Sequence, residues 1–282
     1  MLSDRHAFHA GNYADVLKHL VLVECLNYLK LKEKPFAYFD THAGPGMYAL
    51  DSDLALTTGE FQDGIAKLWV EEALPEALLP YIEVIEAINV ADELLKYPGS
   101  PAIAQHLLRE QDRLQLCELH NTEIEALEAL LRVDGRAEVW HQDGFNRVEK
   151  LLPPRERRAV ILIQPSYEIK EDYERVVDFI TAAHRKFAQG LYLIWYPVVD
   201  RDRDRIDQME GDLQRGGIRN IQVYELGITN DTEARGMTSS GMIVINPPWT
   251  LKQRMEPALK FLAETLGIDG NGFARSEQLV DE

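Results

Sequence analysis

A chain of 282 residues has room for one large α/β domain with a small insertion, and at 45% hydrophobic and 27% charged residues it has an ordinary globular composition. It has no run of about 18 apolar residues, which argues against a membrane-spanning helix, and its start, Met1 to His6, lacks a signal-peptide core. The net charge of −17 argues against a uniformly basic nucleic-acid binder, yet residues 51–98 alone carry −9, and Arg147, Lys150, Arg155, Arg157 and Arg158 form a local basic cluster.

Residues 1–12 are neither helical nor strand-like in composition. They read as a frayed terminus or as a tail that folds over a crevice and supplies polar groups. From Tyr13, apolar residues recur at Val16, Leu17, Leu20, Val21, Leu26 and Leu29, the period of a helix that ends before Pro35 and carries Lys18 and His19. Phe36 to Asp40 is a short apolar run, the pattern of a parallel strand covered on both faces. It leads into Gly44-Pro45-Gly46. A strand followed by such a loop is where an open α/β sheet holds a nucleotide-like ligand.

Residues 51–98 are acidic, rich in Leu, Ala and Glu, and broken by Pro75 and Pro80. They read as a helical subdomain inserted between residues 1–50 and 99–267 of the main domain. Ser100 is expected to cap a helix that starts at Pro101 and runs to about Arg109. A strand over 114–118 ends in Glu118. A helix over 121–132 and a strand over 137–142 follow, ending at Asp143-Gly144. The most apolar strand, Ala159 to Ile163, ends at Gln164-Pro165-Ser166-Tyr167. A helix over 170–188, a strand over 191–196, a helix over 201–214, strands over 221–226 and 242–246, and a helix over 251–266 complete the domain. Residues 268–282 read as a poorly ordered tail. Strands alternating with helices predict a parallel sheet with helices on both faces, and the absence of a helix between the last two strands predicts that one of them is antiparallel. Cys25 and Cys117 sit in apolar surroundings, as buried thiols of a reduced, cytoplasmic protein do. No Cys/His cluster has metal-ligand spacing.

Alone, Gly44-x-Gly46-x-x-Ala49 matches a dinucleotide fingerprint. The acid-ended second strand that should follow about 20 residues on arrives only at Glu118, which ranks a nicotinamide-dependent oxidoreductase low. The combined pattern is more specific. Strands end successively in Asp40 before the glycine loop, in Glu118, in Asp143, and in a polar-Pro-x-aromatic motif. This is the order of a Rossmann-like methyltransferase that uses S-adenosylmethionine. The second acid can accept both ribose hydroxyls, the third can accept from the adenine amino group, and the glycine loop admits the methionine part. Amino-group methyltransferases carry D/N/S-P-P-Y/F/W after the fourth strand. The polar residue and a prolyl-region carbonyl accept hydrogen bonds from the target amine, and the aromatic residue stacks on the flipped base. Gln164-Pro165-Ser166-Tyr167 departs from that motif at two of four positions, and its bland alternative is a helix cap. Asn246-Pro247-Pro248-Trp249 fits better but follows the last strand, so catalysis is assigned to Gln164, Pro165 and Tyr167.

The chain resembles, from end to end, the 23S ribosomal RNA adenine-N6 methyltransferase family known as RlmJ. The stretches that carry the resemblance are Arg5-His6-Ala7-Phe8-His9-Ala10-Gly11-Asn12, Ala14-Asp15-Val16-Leu17-Lys18-His19, Asp40-Thr41-His42-Ala43-Gly44, Tyr97-Pro98-Gly99-Ser100-Pro101, Trp195-Tyr196-Pro197-Val198-Val199, Arg235-Gly236-Met237-Thr238 and Gly241 to Trp249. The resemblance implies a class I Rossmann-like domain with a small helical insertion, acting as a monomer on one adenine of naked or partly assembled 23S RNA. It implies cofactor contacts by His19, His42, Ser100, Glu118, Asp143 and Gly144, beside Gly44 and Gln164, and substrate contacts by His6, Lys18, Tyr167 and the residue at position 4. The family has Asp where this chain has Gln164, and an aromatic residue where it has Asp4. An RNA- or DNA-binding member with little or no turnover is the competing reading.

Overall fold

The helical period after Tyr13 becomes α1 (Tyr13–Lys30), whose first turn is capped by the Asn12 side chain accepting from the Asp15 amide. It is buried on nearly every side, from Tyr13 to Leu26. In the computed structural model, which describes residues 6–90, 93–199, 203–230 and 236–282, the elements that follow are β1 (Ala37–Asp40), β2 (Met47–Ala49), α2 (Asp53–Thr58), α3 (Ile65–Trp69), α4 (Leu79–Ile88), β3 (Lys96–Pro98), α5 (Ser100–Leu107), β4 (Arg113–Cys117), α6 (Asn121–Leu131), β5 (Ala137–Trp140), α7 (Gly144–Leu151), β6 (Ala159–Ile163), α8 (Asp172–Lys186), β7 (Leu191–Val198), α9 (Arg203–Arg215), β8 (Ile221–Gly227), β9 (Ser239–Ile245), α10 (Leu251–Leu266) and β10 (Phe273–Val280).

Eight strands form one sheet in the order β10-β8-β9-β7-β6-β1-β4-β5. β1 runs parallel to both β4 and β6, so the chain winds outward from β1 in both directions. This is a Rossmann-like order, with its switch point at the C-terminal end of β1. The expected reversed strand is β9, antiparallel to β7 and β8. Alternate strand residues feed two cores. Tyr38, Val160 and Leu162 face α1 and α10, whereas Phe39, Ile161 and Ile163 face α7, α8 and α9.

Helices α2 to α4 lie between the two strands of a small antiparallel ribbon, β2 with β3. Their Ile65, Leu68, Tyr81 and Ile85 enter the same core as α1, and the Ile65 amide donates to the Gly11 carbonyl. Residues 6–12 are not frayed either. His6–Phe8 is a 3-10 turn, packed against the start of α1.

Two expectations are overturned. The poorly ordered tail contains β10, which pairs antiparallel with β8 and closes one sheet edge. Its Arg275 forks onto the Glu210 carboxylate at 2.8 and 2.9 Å. Four polar residues in a row, Arg275 to Gln278, interrupt any apolar run, and backbone pairing with β8 supplies what side-chain burial does not. Ser100 does not cap α5 either. The cap position is Gly99, and the Ser100 hydroxyl is used elsewhere.

Candidate functional site

The C-terminal ends of β1, β4, β5 and β6 lie side by side: Asp40 is level with Leu116 and Leu162, and Cys117 with Trp140. Each strand therefore delivers a polar residue at or soon after its end to one crevice. Asp40 is wholly buried there. Its Oδ2 accepts from the Tyr38 hydroxyl (2.8 Å) and the Ser100 hydroxyl (2.6 Å), and its Oδ1 from the Gln164 Nε2 (3.0 Å) and the His42 amide (3.2 Å). Burial raises the Asp40 carboxyl, and these donors pull it back toward the ionised form.

Gln164 spends both amide hydrogens inside the protein, on Asp40 and on the Ser100 Oγ at 2.8 Å. It does not cap a helix, because α8 begins at Asp172 with Glu171 in the cap position. Pro165 is buried behind it, and Tyr167 is held at φ 56° with its ring packed 4.5 Å from Tyr173. The Tyr167 hydroxyl donates to the Trp195 carbonyl (2.7 Å). Tyr167 is thus almost covered, and the half-buried ring beside it is that of Trp195.

The loop after β1 is fixed from below. Glu118 accepts the Gly44 amide on Oε2 and the His120 amide on Oε1, both at 2.7 Å. Burial raises its carboxyl and these amides lower it. Gly44 has φ 65°, a conformation that favours glycine. A Cβ at Gly144 would lie 1.9 Å from the Thr41 carbonyl oxygen, so two backbones meet there. Asp143 caps α7 through the Asn146 amide (2.9 Å) and pairs with Arg175 (2.8 Å), whose guanidinium lies 4.7 Å from the Phe145 ring centre. His42 stands edge-on to the same ring at 5.1 Å. Burial pushes its imidazole down to about 4, with Asp143 opposing, so it is neutral at pH 7.

On the α1 side, Asp15 gathers three donors. Its carboxylate takes Lys18 Nζ at 2.8 Å, His6 Nε2 at 2.9 Å and the Gly11 amide at 2.9 Å. Burial alone would raise it, but His6 and Lys18 hold it well below the usual carboxylate range. Lys18 also lies 5.5 Å from the Trp195 ring centre. His19 is buried with Nδ1 on the Tyr97 hydroxyl (2.7 Å), and burial pushes it down to about 3. Asp4 lies outside the described residues.

The structure thus brings His42, Gly44, Ser100, Glu118, Asp143, Gly144 and Gln164 together around the strand ends, with His6 and Lys18 converging on Asp15 nearby. Sequence reasoning gave no site role to Asp40, Asp15, Trp195 or Arg175. Two of these had a signal: Asp40 ends the first strand, and Asp15 is three residues before Lys18 on one helix face. Arg155 and Arg157 of the local basic cluster are exposed before β6, at the opposite ends of the strands. Arg158 donates there to the carbonyls of Leu29 and Lys34.

A family model described as "RsmJ: Ribosomal RNA large subunit methyltransferase D, RlmJ" matches residues 33–280. Over its whole length the chain is 49% identical to the whole of the Escherichia coli (strain K12) protein named ribosomal RNA large subunit methyltransferase J. It is 46% identical, again over the whole of both chains, to the Haemophilus influenzae protein of the same name. Among solved structures, protein LPL1258 from Legionella pneumophila superposes with a TM-score of 0.88 at 39% identity, covering 96% of this chain and 98% of that one.

Proposed function

We infer the reaction from kinship and site together: the chain belongs to the RsmJ/RlmJ family of ribosomal RNA large subunit methyltransferases, and its crevice sets a donor pocket beside an acceptor residue. It is an enzyme that methylates large-subunit ribosomal RNA with S-adenosylmethionine as donor. The target we propose is N6 of an adenine in 23S RNA, naked or partly assembled, and the enzyme acts as a monomer in the cytoplasm. The observation that carries this reading is Gln164, placed after β6 with its amide hydrogens bonded inward to Asp40 and Ser100.

The residues present fit the donor. Glu118 takes the Gly44 amide on one oxygen and the His120 amide on the other, and its carboxylate has acceptor capacity beyond these two for a ribose hydroxyl. Gly144 lets the start of α7 close onto the Thr41 carbonyl, and Gly44 makes the left-handed turn that carries the loop past Glu118. Bound there, S-adenosylmethionine supplies a methyl group on a sulfonium, which is displaced with the electron pair of its S–C bond going to sulfur.

Gln164 Oε1 accepts one hydrogen of the exocyclic amine and so turns the nitrogen lone pair toward the methyl group. The amine acidifies only once its new N–C bond has formed, so its proton passes to water and no strong base is required. A neutral amide stabilises the developing positive charge less than a carboxylate would. His6, Lys18, Tyr167 and Asp4 are the proposed substrate contacts. Methyl transfer to unmethylated 23S RNA, with the modified nucleoside identified after digestion, tests the reading. A product other than N6-methyladenosine overturns the choice of target, and cofactor binding without any product overturns turnover.

A further inference from the structure

We propose that Asp40, with Ser100, is the positioning residue that fixes the Gln164 amide with its carbonyl toward the crevice, so that position 164 selects an amino group and rejects a keto oxygen as its partner. This rests on the reading of Gln164 as the contact to the methyl-accepting amine.

An amide side chain is symmetric in shape but not in chemistry. Turned one way it offers an acceptor to the crevice, and turned the other way it offers a donor, which would oppose the hydrogens of an amine. The Asp40 carboxylate breaks that symmetry, because an ionised carboxylate can only accept. It stands 3.0 Å from Gln164 Nε2. Ser100 completes the lock: its hydroxyl donates to Asp40 Oδ2 at 2.6 Å and accepts the second Nε2 hydrogen at 2.8 Å. Both amide hydrogens are then used. The Gln164 oxygen is left without a partner among the described residues, as the one atom free to meet a substrate. An adenine or cytosine amino group can donate to it. The corresponding oxygen of a keto base meets another acceptor and is disfavoured.

The lock makes an unusual demand on substitutions. A glutamate side chain at position 164 has the size of glutamine and is the stronger acceptor toward an amine, so without Asp40 it should serve at least as well. With Asp40 it sets two carboxylates about 3 Å apart, and such a pair ionises fully only at a cost. Once the pair holds one proton, the half of the natural arrangement that faces Asp40 returns: the protonated oxygen of the introduced carboxyl donates to Asp40 and its other oxygen faces the crevice, while Ser100 Oγ loses the hydrogen it accepted from Nε2. The ionisable groups that face Asp40 are Tyr38, Tyr48, Cys117 and His42. Burial holds both tyrosines and the thiol protonated, the thiol up to about 12, and keeps His42 neutral above about 4. None of them titrates near neutrality, so a new limb in the rate profile belongs to the carboxylate pair.

The test compares methyl-transfer rates of the full chain on 23S RNA across pH for the natural protein, Gln164→Ala, Gln164→Glu, and the exchange Asp40→Asn with Gln164→Glu. In the exchange, the asparagine Nδ2 donates to the introduced carboxylate while its Oδ1 keeps the hydroxyls of Tyr38 and Ser100, and only the long bond from the His42 amide (3.2 Å) loses its acceptor. We expect Gln164→Glu to be slower by about tenfold or more near pH ~8, gaining rate as the pH falls. The exchange should recover most of that loss and flatten the profile. Gln164→Glu as fast as the natural protein near pH ~8, with no new limb, overturns the proposal. So does a folded exchange variant, judged by its melting and by S-adenosylmethionine calorimetry, that is no faster than Gln164→Glu alone. If the exchange variant does not fold, the pH profile of Gln164→Glu decides by itself. Failure of the underlying reading looks different: Gln164→Ala would then turn over like the natural protein.

Discussion

Two short motifs in this chain read alike and sit at opposite ends of the sheet. Gln164-Pro165-Ser166-Tyr167 follows β6, at the edge where Asp40, Glu118 and Asp143 also emerge. Asn246-Pro247-Pro248-Trp249, the better match to an amino-methyltransferase motif, follows β9. That strand runs against β7, so Ile245 is level with Tyr192 and the motif emerges where the parallel strands begin. There Asn246, at φ 56°, donates through Nδ2 to the carbonyls of Ala188 (2.8 Å) and Gly190 (2.7 Å) and ties down the turn into β7. One motif faces a crevice lined by polar strand ends, and the other is a backbone brace. Strand direction, which a motif does not encode, decides between them.

The comparison breaks most visibly in turnover. Gln164→Ala should lower methyl transfer by roughly one to three orders of magnitude, as for loss of a positioned catalytic group. Asn246→Ala should leave the rate per folded molecule unchanged. A slow Asn246→Ala with an undisturbed melting curve would reverse the two assignments.

The next effect is on the donor. Glu118 supplies a charged acceptor, and losing such a partner costs about 1.5–3 kcal/mol, or roughly 10- to 150-fold in affinity. Glu118 also braces the Gly44 amide, so its loss loosens the loop as well. Glu118→Ala should therefore weaken S-adenosylmethionine binding at least about tenfold by calorimetry. An unchanged dissociation constant would take Glu118 out of the ribose site.

Much of this was legible in the sequence, and what was not has particular causes. Strand ends announced by an acid after an apolar run, as at Asp40 and Glu118, could be placed because a buried parallel strand is apolar on both faces. The Asp40–Ser100–Gln164 lock could not, since Ser100 lies 60 residues from Asp40 and Gln164 a further 64 on. Ser100 before Pro101 also matched a helix cap so well that its tertiary use was hidden. β10 was missed because polar residues such as Arg275 and Glu277 break any strand period, and its order comes from pairing with β8. The exposed Arg155 and Arg157 could be counted but not placed, because which sheet edge a loop occupies follows from topology.

Stability separates the two motifs in the other direction. Asn246→Ala removes two hydrogen bonds to backbone carbonyls and leaves a residue with a Cβ at φ 56°, a conformation Asn tolerates better than Ala. A loss of about 1–2 kcal/mol in urea unfolding follows. Gln164→Ala also removes two hydrogen bonds but leaves no left-handed residue behind, so it should cost less. If Gln164→Ala destabilises more than Asn246→Ala, the crevice residue is the brace.

The smallest effect concerns charge. Arg155 and Arg157 form the most obvious basic group in an acidic chain, but they precede β6 and so stand at the brace end. The five residues of β6 span about 16 Å at roughly 3.3 Å per residue. That is about twice the screening length of ~8 Å at physiological salt. A phosphate held near Gln164 is therefore screened from these arginines, and only RNA that wraps to the far edge would meet them. Arg155→Glu with Arg157→Glu should change RNA affinity by less than about threefold and leave the slope of affinity against salt unaltered, because that slope counts phosphate contacts. A slope reduced by about one or two contacts would show that the RNA reaches round the sheet to the far edge. The two ends of the molecule would then share one substrate, and the brace end would belong to the RNA-binding surface as well.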